Sequence, residues 1–222
     1  MINRLYKDFS KLAEPFLDIS GYRSASLFLS ELEGHKRHDS RYEDEDLYDR
    51  VIEYFNKTVI PHKIAVWESG MGLIEKALAP YAPVDNFEEQ LKYNLWIHDL
   101  SKFSIGEAPA YALHDFQSKE EDIDFVMAWH HHKQFNPHHP EYWLDVDRSG
   151  EVTARDMPML YVYEMVADWM GAGKTYGSSL EEWLPENLPK FKFSLDTRYK
   201  LANLLKSLNI ETAFVDRKLE VI

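Results

Sequence analysis

No cysteine occurs among the 222 residues. That excludes disulfide scaffolds, zinc ribbons, iron–sulfur clusters and thiol catalysis, and it fits a reducing compartment. Basic residues are scarce beside acidic ones: 25 Lys and Arg stand against 38 Asp and Glu, a net charge of −13 with His neutral. Such a surface repels a phosphate backbone, so nonspecific nucleic-acid binding is not expected. Phosphate chemistry would need positive charge imported locally, and metal ions are the obvious source. No apolar run approaches the length of a membrane span, and the N-terminal MINRLYKDF lacks the apolar core of a signal peptide. The expectation is a cytoplasmic protein with no membrane partner. What is present is core-forming material: 45% of residues are hydrophobic and 14% aromatic. That suits one ordinary domain, alone or with an appendage, and excludes global disorder.

The helical period dominates the pattern, so the expected class is mainly α. Leu5, Phe9, Leu12 and Phe16 share one helical face, and a second short apolar stretch covers 25–32. The polar run 33–46 reads as a linker. The expected organisation is therefore an N-terminal helical appendage and linker over 1–46, and the main domain over 47–222. From Leu47 the period resumes, with Val51, Tyr54, Phe55, Thr58 and Val59 on one side, and Pro61 kinking or restarting the helix. Gly70 and Gly72 mark the next connection. Further helices are expected over 87–100, 120–132, 156–170 (closed by Gly171) and 194–208 (apolar face Leu195, Tyr199, Ala202 and Leu205). Ser104 and Glu107 fit a capping box. The segments 142–147 and 151–155, flanking Arg148-Ser149-Gly150, read as one small β-hairpin.

Seven of the ten histidines fall between His98 and His139. His98-Asp99 follows apolar Leu95, Trp96 and Ile97, and Leu100 comes next. A carboxylate on a largely buried helix is costly without a partner. Asp168 repeats the pattern inside YVYEMVADWM, and His62 stands between two apolar runs. Imidazole and carboxylate are good ligands for first-row metals, and three helices each presenting one from an apolar face point to a shared ion. A lone core histidine is more often simply hydrogen-bonded; the combination carries the signal. Two other motifs are rejected. Gly171–Thr175 ends like a P-loop, but Asp168 stands where the first glycine belongs. Asp145–Asp156 resembles a calcium loop, but its last position is Asp and its flanks are wrong, so the hairpin turn is preferred.

The order His62, His98-Asp99, Asp168 resembles the HD-domain superfamily of metal-dependent phosphohydrolases. HDLSK is similar to the HDxGK-type element of HD phosphodiesterases. HDLSKFS..E, AWHHHKQFNPHHPEYW and EMVADWMGAG together resemble a narrower, uncharacterised HD-like group of bacteria and their viruses, over roughly 47–208. The resemblance implies an HD-like helical bundle and one divalent ion held by His62, His98, Asp99 and Asp168. It also implies a second ion drawing on the later histidines: His131 or His132, and His138 or His139, with His131 and His139 preferred. Mixed His/Asp ligation admits Mn, Fe, Co, Ni or Zn. No Gly-Tyr-Pro follows, which sets the chain apart from the HD-GYP subgroup.

The implied activity is hydrolysis of a small phosphorylated substrate, a nucleotide among the candidates, as phosphomonoesterase or phosphodiesterase through a metal-activated water. Asp99 would bridge two ions or orient the water. Lys102, three residues on, would bind substrate phosphate and stabilise developing charge, unless it is only a cation at a helix end. Asn136 would donate to substrate, unless it is only the turn residue before Pro137. The alternatives are a non-catalytic HD-fold binding or regulatory module that retains the metal, and a helical interaction protein without metal. The segment 1–46 could cover the site, pair two copies into a homodimer, or pack on the bundle.

Overall fold

The computed structural model describes residues 45–77, 86–104, 106–114, 122–215 and 218–221. The expected helix over Leu5–Phe16 and the stretch 25–32 lie outside them, as does almost all of the expected linker. The described residues are mainly helical, with small antiparallel sheets. They form two compact units, and the chain passes between them at Pro61–His62, Trp96–Ile97 and Phe135–Asn136.

The first unit contains α1 (Glu45–Tyr54), a π-helical turn (Phe55–Val59), a 3-10 turn (Leu100–Phe103), α4 (Ala108–Leu113) and α5 (Ile123–Phe135). Its core is built from Leu47, Val51, Tyr54, Phe55, Val59, Phe103 and Tyr111. Thr58 lies at the edge, half-buried. Pro61 does not break the helical path. Ile60 N–H donates to the Phe55 carbonyl, five residues back, so the backbone widens by one residue just before the proline ring must be accommodated. Tyr54 stacks on Tyr111, and Phe55 tilts against Phe103.

The second unit contains α2 (Ile60–Ala77), α3 (Phe87–Ile97), a 3-10 turn (Pro140–Trp143), β1 (Leu144–Val146), β2 (Val152–Ala154), α6 (Met159–Tyr176), α7 (Leu180–Asn187), a 3-10 turn (Leu188–Lys190), α8 (Leu195–Ser207), β3 (Thr212–Val215) and β4 (Lys218–Val221). Its core centres on Val66, Leu73, Leu91, Leu95, Tyr163, Leu184, Leu201 and Leu205. The expected hairpin is present, with Leu144 opposite Ala154 and Val146 opposite Val152. Asp147 Oδ1 accepts from the Ser149 hydroxyl and the backbone N–H groups of Ser149 and Glu151, and Gly150 takes a φ of 84°. The aspartate closes its own turn, as a hairpin requires. A separate two-stranded antiparallel sheet, β3 with β4, lies where the sequence pattern predicts no strands.

Several expectations need correction. Gly70 and Gly72 lie inside α2 rather than in a connection. A Cβ on Gly70 would stand 2.3 Å from Leu95 Cδ1, so the residue is small for packing, not for turning. Gly171 does not end its helix. A Cβ there would meet Val66 Cγ2 at 2.6 Å and Val66 N at 2.7 Å, and α6 runs on to Gly177, whose φ of 80° supplies the left-handed cap. The face of α8 is rotated from the expected one. Leu201, Leu204 and Leu205 are buried, while Leu195 and Tyr199 are exposed. The Thr197 hydroxyl accepts from Met157 N–H, which locks that face inward. Ser104 and Glu107 form no capping box: Glu107 makes no side-chain cap bond, and the box that forms is Ser179 with Glu182 at α7.

Candidate metal centre

In the first unit the site begins where α3 ends. His98 and Asp99 form a turn, and Asp99 takes the left-handed conformation, φ 56° and ψ 24°. Non-glycine residues seldom hold that conformation, although a short polar side chain tolerates it best. The turn breaks the 100° divergence expected of successive helical residues. His98 Nε2 lies 3.5 Å from Asp99 Oδ2, and both side chains are almost fully buried. Lys102 Nζ lies 2.7 Å from the same oxygen, an i,i+3 pair across the 3-10 turn. His132, on α5, brings Nε2 to 3.4 Å from Asp99 Oδ1. One buried carboxylate therefore faces two imidazoles and an ammonium.

Glu107 joins this group from the residue before α4. It is fully buried; Oε1 accepts from His131 Nδ1 at 2.7 Å and Oε2 from His132 Nδ1 at 2.9 Å. Tyr111 stands edge-on to His132 and stacks on Tyr54. Burial pushes its phenol pKa far up, with Glu107 and Asp99 adding to the effect and Lys102 opposing it, so this hydroxyl is neutral. Its oxygen has no hydrogen-bond partner among the described residues.

The second unit carries its own chain of buried donors. His62, in the first turn of α2, places Nε2 3.0 Å from Asp168 Oδ1 on α6. Glu164 lies one turn earlier on the same face of α6. His138, in the turn after α5, sits between them: Nδ1 is 3.3 Å from Glu164 Oε1 and Nε2 is 4.0 Å from Asp168 Oδ2. Asn94 donates to Glu164 Oε2 at 3.0 Å. His139 packs beside His138, ring centroids 4.4 Å apart, and is half-buried. Lys63 is buried next to His62 and donates to the Trp96 carbonyl at 3.1 Å, satisfying one of the last carbonyls of α3.

Each unit thus holds histidine and carboxylate groups that could bind a metal ion. Donor atoms of Asp99 and His132 in the first unit lie within 4.8 Å of one another, as do those of His62 and Asp168, of His138 and Glu164, and of His138 and His139 in the second. The donor set fits a divalent first-row ion: neutral imidazole and carboxylate, buried, with carboxylates orienting ring nitrogens from behind. Of the residues expected for one ion, His98 and Asp99 meet in the first unit and His62 and Asp168 in the second. Lys102 is bonded to Asp99. His131 is one-third exposed and lies outside the Asp99 contacts; its neighbour His132 occupies that place. Asn136 is buried, and its carbonyl closes a turn with His139 N–H. Glu107, Glu164 and Lys63 were missed. Glu164 had a readable signal, a second acid four residues before Asp168 on an apolar helix.

No helix among the described residues is long and apolar enough to cross a membrane. No curated protein and no solved structure matches the chain. Residues 51–207 match one family, which spans both buried donor sets, and the chain belongs to that family, a family of unknown function (DUF5662).

Proposed function

We propose that this protein is a metal-dependent phosphohydrolase of HD type, acting on a small phosphorylated substrate. The observation that carries the reading is the Asp99 carboxylate, buried and bordered by His98, His132 and Lys102. A buried carboxylate gathered with imidazoles is a ligand arrangement, and an adjacent ammonium is what a phosphate ester would need beside it. The order His62, His98-Asp99, Asp168 supports the reading from sequence; His98 and Asp99 gather donors in the first unit, His62 and Asp168 in the second, and the donor types suit Mn, Fe, Co, Ni or Zn. Where the resemblance prefers His131 and His139, it is His132 that meets Asp99 in the first unit, at 3.4 Å, and His138 that meets Glu164 in the second, at 3.3 Å.

A divalent ion so held supplies a water acidic enough to attack at neutral pH and positive charge for phosphoryl oxygens. The chain's own groups do the rest. Asp99 would orient the attacking water and take its proton as the new P–O bond forms; the ester P–O bond breaks, and the leaving oxygen departs as the alcohol, protonated from solvent. Lys102 exchanges its bond with Asp99 for one with a substrate oxygen, bringing positive charge to the phosphate in a chain of net charge −13. The neutral Tyr111 hydroxyl, without a hydrogen-bond partner among the described residues, is available to donate a hydrogen bond.

The test is hydrolysis of p-nitrophenyl phosphate, bis(p-nitrophenyl) phosphate and a nucleotide panel by metal-reconstituted protein, with Asp99→Ala as control. Turnover that vanishes in the variant supports the reading. Bound metal without turnover of any of these replaces it with a non-catalytic metal-retaining module. Turnover equal in both proteins contradicts it.

A further inference from the structure

Glu107 is fully buried, yet its carboxylate touches two consecutive histidines. Neighbouring residues of a helix diverge by about 100°, so two adjacent rings meet one group only if it sits between them and each χ angle turns toward it. Here both rings turn the same atom, Nδ1, toward the carboxylate: His131 at 2.7 Å and His132 at 2.9 Å. A carboxylate only accepts hydrogen bonds, so both Nδ1 atoms carry the proton. The Ser101 hydroxyl, 3.3 Å from His132 Nδ1, offers a competing arrangement. Were it the donor, the Nδ1 lone pair would face the closer Glu107 oxygen, and two acceptors would repel inside the core.

We infer that Glu107 is a positioning residue that fixes the tautomer of His131 and His132 together, so that each ring presents its lone pair at Nε2. For His132 that lone pair points at Asp99, Oδ1 being 3.4 Å from Nε2. Two acceptors at that separation repel unless a cation or proton is shared between them, which is the electrostatic condition of a ligand pair. For His131 the ring is one-third exposed and packs on Phe135. Gly106 borders its Nε2; a Cβ there would come to 3.4 Å, so glycine leaves that nitrogen room. One carboxylate therefore prepares a buried donor and a solvent-facing one. The use of the His132 donor by a metal rests on the function proposed above; the tautomers do not.

The experiment is a long-range proton–nitrogen correlation spectrum of histidine-labelled protein at pH 8, assigned with His131→Gln and His132→Gln. Protons on Nδ1 of both rings are expected. A proton on Nε2 of either ring overturns the inference. Glu107→Gln refines it, because an amide offers one acceptor oxygen and one donor nitrogen. One ring should keep its Nδ1 proton and the other should move its proton to Nε2, while metal affinity falls about 10- to 100-fold. Two unchanged rings in that variant also overturn it. If the variant does not fold, the wild-type spectrum decides alone. Wild-type protein with the expected tautomers but no affinity for Mn or Zn would contradict the proposed function and leave the Glu107 assignment standing.

Discussion

Asp99 combines a left-handed backbone with a buried carboxylate, and the two properties make separable predictions. Asn tolerates the same backbone but lacks the charge, so Asp99→Asn should keep its circular dichroism spectrum and lose its metal, measured by elemental analysis. Asp99→Val should lose both, because a β-branched residue in that conformation adds strain of about 1–2 kcal/mol or more. Retained metal in Asp99→Asn would remove this residue from the ligand set. The sequence made the His98-Asp99 pair legible, since an acid flanked by apolar residues wants a partner. It left the choice between His131 and His132 open, because adjacent ring directions depend on what each ring meets. Glu107, from a distant loop, decides that, and its own role was hidden behind a plausible capping box.

Helical elements were legible where one apolar stripe or one stop signal was present, and misread where two competed. Gly171 and Gly177 both fit a helix end; packing against Val66 claimed the first, and the left-handed cap fell to the second. In α8, Leu195 with Tyr199 and Leu201 with Leu204 are both periodic, and only the tertiary bond from Met157 N–H to Thr197 selects the buried one. The glycines give a paired test by chemical denaturation. Gly171→Ala should destabilise by about 1–3 kcal/mol, since backbone atoms of Val66 cannot yield. Gly72→Ala, with nothing within 4 Å, should stabilise by about 0.5–1 kcal/mol. The reverse order would contradict the packing described.

The start of α5 gives a pH test. Asp122 Oδ1 accepts from the N–H groups of Asp124 and Phe125, and Oδ2 bonds to His114 Nδ1. The His114 hydrogen bond, followed by the Phe125 N–H, holds the Asp122 pKa below the ordinary carboxylate value. A depressed folded-state pKa contributes stability above the unfolded value and loses it as pH falls through the folded value. Asp122→Ala should therefore cost about 1 kcal/mol near neutral pH, and the gap to wild type should close in acid. A gap constant from pH 7 down to the acid limb would contradict the capping role.

For the whole molecule, composition made the absence of thiol chemistry legible, and helical periodicity made the mainly helical class legible and located most of the helices. It did not reveal that the chain builds two cores, because each draws on segments far apart in sequence: α1 with α4 and α5 in the first unit, α2 and α3 with α6 to α8 in the second. If the buried donors hold metal in the native state only, metal should stabilise the fold by mass action. A free-metal concentration of one hundred times Kd should add about 2.7 kcal/mol and raise Tm accordingly.

The most direct test of the metal centre is elemental analysis of the untagged protein beside its His98→Ala/Asp99→Ala double variant. One or two equivalents of a divalent ion in the wild type, lost in the variant, is the predicted result. No bound metal in the wild type, even after reconstitution with Mn, Fe or Zn, would contradict the account and leave the histidines as packing and hydrogen-bonding residues.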